Sequence, residues 1–446
     1  MDISLLAWTR AQFLLSLAFF FFFLALTLGL AWLLLLFKWR ARRSGHSGWL
    51  AAYRFWVRIF ALSFVLTLAG SAAMLFQLGG LWAGLMDRIG NIAGPLLGYA
   101  VLTLFVFKSC FLGVMLFGQR RVSERVHTLS VGMVAVGLTA AVFWLAVLLA
   151  WLDTPLGARL FEGRYQVFDW QAVLSNPSLG WRMGALLAGA ALAAACLTMG
   201  VTGVLALRRK LEEGERLAFH AAVMTALVAG AIQVPLAIGG LDVMRQYQPA
   251  KAAALMGYWH TGQPADLVLL AWPDARTESN LGAISIPGAG ANWLGADAQG
   301  QLQGLDSFSG MGPPVAVAFW LWRIEILSWL VIMMVSCWAA MAGRKHRFDA
   351  GNLPRPLLRL LAGGLSLGAL VAVMRAWGDV LGRAPYVVQN AVTQTEVLGP
   401  MRPESVLVGT VGYGALYLLL TLSFFSMLFH AVRYGVVPVR RVGRHP

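Results

Sequence analysis

A chain of 446 residues with 59% hydrophobic and only 12% charged residues, and a mean hydropathy of +0.70, is too apolar for a soluble globular fold of this size. The formal net charge of +15 would suit a nucleic-acid partner if the basic residues formed one surface, so their placement decides its meaning. They alternate between loops, which is a membrane pattern and excludes nucleic acid.

A bilayer core needs roughly 20 apolar residues per helix. In chain order the sequence predicts spans at 11–37, 56–79, 93–117, 129–152, 182–207, 218–240, 316–342, 356–377 and 410–434. The first apolar run is longer than a signal-peptide core of about 7–15 residues and has no small-residue cleavage site, so it is expected to remain as a span. The fold class is therefore an all-α membrane protein of about nine transmembrane helices. Lys38, Arg40, Arg42 and Arg43 follow the first span, Arg120, Arg121 and Arg125 the third, and Arg208, Arg209 and Lys210 the fifth. Arg344, Lys345 and Arg347 follow the seventh, and Arg440, Arg441 and Arg444 close the chain. Positive residues are held on the cytoplasmic side, which places the N-terminus in the periplasm and the C-terminus in the cytoplasm. Cys110, Cys196 and Cys337 fall inside spans, where a thiol packs as a small apolar group, so no disulfide framework is implied.

The chain divides into helices 1–6 at 1–240, a long periplasmic segment at 241–315, and helices 7–9 with a basic cytoplasmic tail at 316–446. A loop of that length inside a compact membrane domain marks function.

Several local patterns occur in a fixed order. Arg10-Ala-Gln-Phe13 opens the first span, Phe117-Gly118 ends the third, and Asn176-Pro177 precedes the fifth. Gln248-Pro-Ala-Lys251, Gln263-Pro264, Ile284-Ser-Ile-Pro287 and Gly304-Leu-Asp306 run through the long segment. Phe319-Trp-Leu-Trp-Arg-Ile324 begins the seventh span, and Gly382-Arg-Ala-Pro-Tyr386 forms a turn after the eighth. Together they resemble subunit I of the cytochrome bd-type quinol oxidases over essentially the whole chain, as a divergent member. The resemblance implies a subunit of a respiratory electron-transport complex in the bacterial inner membrane. In that family three haems take electrons from quinol at the external loop and reduce oxygen, with axial ligands supplied by the protein.

The resemblance places this chain's own residues at those ligand positions. The first-span histidine falls on Phe20, and the third-span glutamate on Tyr99 or Ala100. The fifth-span histidine falls near Ala185, its methionine partner on Glu325, and the glutamate before the Gly-Arg-x-Pro turn on Val380. Of the seven histidines, His46, His127, His260, His346 and His445 read as loop or tail residues, with His220 and His430 near cytoplasmic span ends. The remaining soft, phenolic or acidic donors are Tyr99, Met183, Met199, Cys110, Cys196 and Glu325. In the quinol loop Gln248 and Lys251 match, while the acidic partner position holds Met256 or Leu255, leaving His260 or Asp266 as substitute proton acceptors.

Lys108 in the third span and Glu325 in the seventh are intramembrane charges, which face a partner or a cavity. With Arg323, Arg375 and Arg383 they are expected to form a polar network filling space that haem would occupy. The reading is a haem-free, non-catalytic structural subunit with no metal of its own. Haem b or d would sit in a second, haem-bearing membrane subunit or else here, with a structural quinone or lipid alongside. The alternatives are an active quinol:oxygen oxidoreductase subunit with displaced ligands, or a membrane scaffold or transporter, the latter disfavoured by the absence of paired broken helices.

Overall fold

The computed structural model describes residues 3–434 apart from 298–299, 309–310, 346–347 and 349–351. Arg347, Arg440, Arg441, Arg444, His346 and His445 lie outside the described residues. Among those described, nine helical segments are long and apolar enough to cross a bilayer: Leu5–Ser44, Ser47–Gly80, Ala83–Arg120, Glu124–Asp153, Trp170–Ala206, Glu213–Tyr247, Val315–Lys345, Arg355–Leu381 and Pro403–Tyr434. Each contains the corresponding predicted span except the fifth, which ends at Ala206, one residue short of the expected boundary at 207. The helices run past the apolar windows because a helix satisfies its own backbone polar groups and continues through the interface into water. The sixth therefore extends to Tyr247, beyond the expected boundary at 240.

The first span is the axis of the bundle, packed by the second, fourth, fifth, eighth and ninth. Its central run, Phe23 through Leu34, is almost entirely buried. Lipid offers apolar side chains no hydrophobic gain over protein, so contact here depends on close backbone approach and interhelical hydrogen bonds. Gly29 supplies the first: a Cβ there would lie 1.9 Å from the Ala190 carbonyl oxygen of the fifth span. Thr27 and Thr67 supply the second, with hydroxyls 2.8 Å apart between the first and second spans. Gln77 Nε2 donates to Ser16 Oγ at 2.6 Å, and Tyr417 Oη joins the same hydroxyl at 3.0 Å, tying in the ninth.

Two departures from regular helix were not legible in the sequence. The third span carries a π-helical turn over Lys108–Leu112. The eighth is two helices, Arg355–Gly363 and Leu367–Leu381. Its turn, around Leu365, packs on Gly200 of the fifth span, where a Cβ would lie 2.2 Å from Leu365 Cβ. Non-helical backbone at membrane depth is tolerated when buried in protein in this way.

Three antiparallel hairpins, Ala158–Phe161 with Arg164–Val167, Leu267–Asp274 with Ser279–Ile286, and Tyr386–Val388 with Val392–Thr393, follow the fourth, sixth and eighth spans. They share one end of the bundle, opposite the basic loops. The segment after the sixth span also holds the short helix Pro249–Met256.

Candidate functional site

Among the described residues, two of the cavities lie in the bundle interior. The larger, about 560 Å³, lies among the first, fourth, fifth, sixth, seventh and eighth spans and the helix Pro249–Met256. The smaller, about 240 Å³, lies among the first four spans and the residues just before and after Gly382.

The charged end of the larger cavity is assembled by a turn. After Asp153 ends the fourth span, Thr154 Oγ1 donates to Asn176 Oδ1 at 2.5 Å, and Asn176 Nδ2 donates to the Thr154 carbonyl at 2.7 Å. That clasp brings the start of the fifth span beside the end of the fourth, so Arg182 meets Asp153 through Nη2. Arg182 Nη1 donates to Asp379 Oδ2 of the eighth span at 2.6 Å, and Lys251 Nζ lies 3.5 Å from Asp379 Oδ1. Arg383 Nη1 donates to the other Asp153 oxygen at 2.6 Å. Gly382 permits this convergence: a Cβ there would lie 2.5 Å from the Gly378 carbonyl oxygen and 2.8 Å from Lys251 Cε. Arg375 and Glu325 pair on the same wall. Buried charges are stable only when paired and hydrogen-bonded, and the two aspartates each receive two cations.

Asp153, Arg182 and Asp379 were not singled out from the sequence as a group. Asp379 lies two residues beyond the predicted eighth span, and only the extension of the helix to Leu381 places it inside. Gln248, expected in the quinol loop, is buried at the cavity and donates through Nε2 to the Asp153 carbonyl at 3.4 Å.

The expected network forms only in part. Glu325 and Arg375 are joined, and Arg383 belongs to the Asp153 cluster. Lys108 is exposed on the third span and has no ion pair among the described residues, so it stands apart from Glu325. Arg323 is also separate. Its guanidinium donates to the Leu269, Val268, Leu255 and Phe319 carbonyls at 2.5–3.0 Å. The register of Leu267–Asp274 against its partner strand shifts between Val268 and Leu270, and this irregularity leaves carbonyls free for Arg323. Arg323 is thus an anchor for the hairpin.

The expected haem-ligand positions sort between the two cavities. Ala185 and Glu325 line the larger, and Phe20, Ala100 and Val380 the smaller. Tyr99 is 52% exposed and stacks near Trp144, so of the two aligned residues Ala100 faces the interior. Met183, Met199, Cys110 and Cys196 line neither cavity. His127 is not a loop residue: it is buried in the first turn of the fourth span, edge-on to Tyr53 at the basic end. His260 and Asp266 lie in the long segment and line neither cavity.

Haem iron is usually held by an axial His, Met, Cys or Tyr donor, and the resemblance adds glutamate to these. No histidine or cysteine is among the described lining residues. Met244 and Met374 in the larger cavity, and Met74 and Tyr386 in the smaller, are the methionine and tyrosine donors, and none occupies a ligand position. The Glu325 carboxylate is already held by Arg375. The residues at the ligand positions do not fit a haem.

The model of the family described as cytochrome bd terminal oxidase subunit I matches residues 8–436 of this chain. Cytochrome bd ubiquinol oxidase subunit 1 of Bacillus subtilis (strain 168) is 23% identical over 97% of this chain and 94% of that protein. Cytochrome bd-II ubiquinol oxidase subunit 1 of Escherichia coli (strain K12) is 28% identical over 63% of this chain and 55% of its own length. The fold matches a chain of the bd oxidase from Geobacillus thermodenitrificans with a TM-score of 0.86, covering 97% of this chain and 99% of that one at 19% identity.

Proposed function

The chain belongs to the cytochrome bd terminal oxidase subunit I family and is a multi-pass protein of the bacterial inner membrane, and from that premise we propose that it is a haem-free, non-catalytic member of a respiratory complex. The observation that carries this reading is the lining of the two cavities. Alanine, phenylalanine and valine stand where iron ligands are expected, and the one residue there with a donor atom, Glu325, is engaged by a guanidinium.

In this reading the chain supplies a helix surface to a second, haem-bearing membrane subunit. The third and ninth spans support it, since only 6% and 22% of their apolar windows are buried within the chain. The segment 241–315 acts as a structured cap at the periplasmic end, with Lys251 turned onto Asp379. That assignment keeps the N-terminus periplasmic and the basic loops cytoplasmic, as the distribution of Lys and Arg requires.

Reduced-minus-oxidised spectra and a pyridine haemochrome assay on the purified chain test the reading. Substoichiometric haem is expected, with haem recovered in a co-purifying membrane subunit from native membranes. One haem or more per isolated chain overturns it.

A further inference from the structure

We propose that the larger cavity binds one anionic phospholipid, its phosphodiester at the charged end and an acyl chain in the apolar part, entering sideways from the bilayer between the sixth and seventh spans. The inference rests on the reading that haem does not fill this space.

The entrance is visible in residues that face two ways. Val234 and Ile238 of the sixth span line the cavity yet are 43% and 56% exposed, and Ile326 of the seventh lines it at 37% exposure. All three lie within membrane-spanning helices, so the mouth opens into lipid. Pro235, between the first two, removes a helix hydrogen bond and disfavours straight helix at the mouth. Beyond it Phe21, Leu24, Leu28, Val142 and Leu186 form an apolar wall. At about 560 Å³ the cavity is within the roughly 300–1,000 Å³ of small-ligand sites.

The head group follows from the charges. Arg182, Lys251 and Arg375 line the cavity with Asp153, Asp379 and Glu325, and Arg383, which lines the smaller cavity, adds one positive charge to the cluster through Asp153. Unused capacity lies with donors and with one acceptor, Gln248 Oε1, which is buried at this end without a partner among the described residues. Both oxygens of Asp153 and of Asp379 are engaged, whereas among the described residues Arg182 Nε is buried with no acceptor and Lys251 has a single ion-pair contact at 3.5 Å. An oxygen-rich group of one negative charge balances that end, as a phosphodiester does, and charge-assisted hydrogen bonds in a low-dielectric site are the strong ones. A neutral ring ketone would leave the positive charge uncompensated.

The test uses the full chain purified in detergent and depleted of lipid, then offered dioleoylphosphatidylglycerol, dioleoylphosphatidylcholine or inorganic phosphate. Native mass spectrometry reads bound lipid and thermal unfolding reads stabilisation. Expected are one phosphatidylglycerol per chain with a raised Tm, and retention of phosphatidylcholine weaker by about tenfold, because its quaternary ammonium cancels the phosphodiester charge and leaves the surplus cation unbalanced. Lys251→Gln loses the preference and Lys251→Arg keeps it. Ile238→Trp, at the mouth and remote from the charges, lowers retention of either lipid without changing the lipid-free Tm. Equal retention of the two lipids, undiminished retention in Lys251→Gln or Ile238→Trp, or a Tm rise reproduced by phosphate alone overturns the proposal. A pyridine haemochrome assay on the same sample separates the failures: stoichiometric haem removes the haem-free reading, whereas its absence with no lipid preference removes only this one.

Discussion

Arg383 Nη1 lies 2.6 Å from Asp153 Oδ1 across 230 residues of sequence, and both side chains are buried. The pair ties the turn after the eighth span to the end of the fourth, and it sits between the two cavities. Asp153 also holds Arg182, so one carboxylate carries two buried guanidinium groups.

Asp153→Asn is expected to destabilise the chain by about 3–5 kcal/mol, since removal of the shared acid leaves two buried cations short of a partner. Chemical or thermal unfolding in detergent measures it. A loss below about 1 kcal/mol would mean that solvent reaches the cluster.

Arg323→Lys removes the planar fork that reaches four carbonyls, and an ammonium can satisfy only some of them. Each buried acceptor left unpaired costs about 1–3 kcal/mol. The expected result is faster limited proteolysis within 241–315 while the helical bundle stays folded. Cleavage at the wild-type rate would show that the hairpin does not depend on this anchor.

Lys108→Met and Glu325→Gln are expected to be additive in Tm, because the exposed lysine does not meet the Glu325–Arg375 pair. Lys108→Met alone should change stability of the isolated chain by no more than about 0.5 kcal/mol, as for a surface site. A coupling energy above that value would restore the network anticipated from sequence.

Glu396 accepts hydrogen bonds from the Thr393 hydroxyl and backbone amide and from Arg88, and these hold its carboxyl below the usual carboxylate range. A depressed folded-state value means stability that is present at neutral pH and lost as pH falls through that value. Hydrogen exchange of residues 386–397 should therefore accelerate below about pH 4, the ordinary carboxylate range. Glu396→Gln should remove the pH dependence; an unchanged acid profile in that variant would assign it to another group.

The nine spans and the order of the motifs are properties of the sequence alone. Hydropathy is a local sum and bilayer thickness sets its length, so span identity needs no knowledge of packing. Tertiary structure decided which charges meet. Asp153, Arg182, Lys251, Asp379 and Arg383 come from three spans and two connecting segments, and nothing in their spacing pairs them. Packing also separated Tyr99 from Ala100 and turned Lys108 outward, because the π-helical turn and the rotation of the third span set which residues face inward. The size and sideways opening of the larger cavity depend on all the surrounding helices at once, so they exist only in the folded bundle.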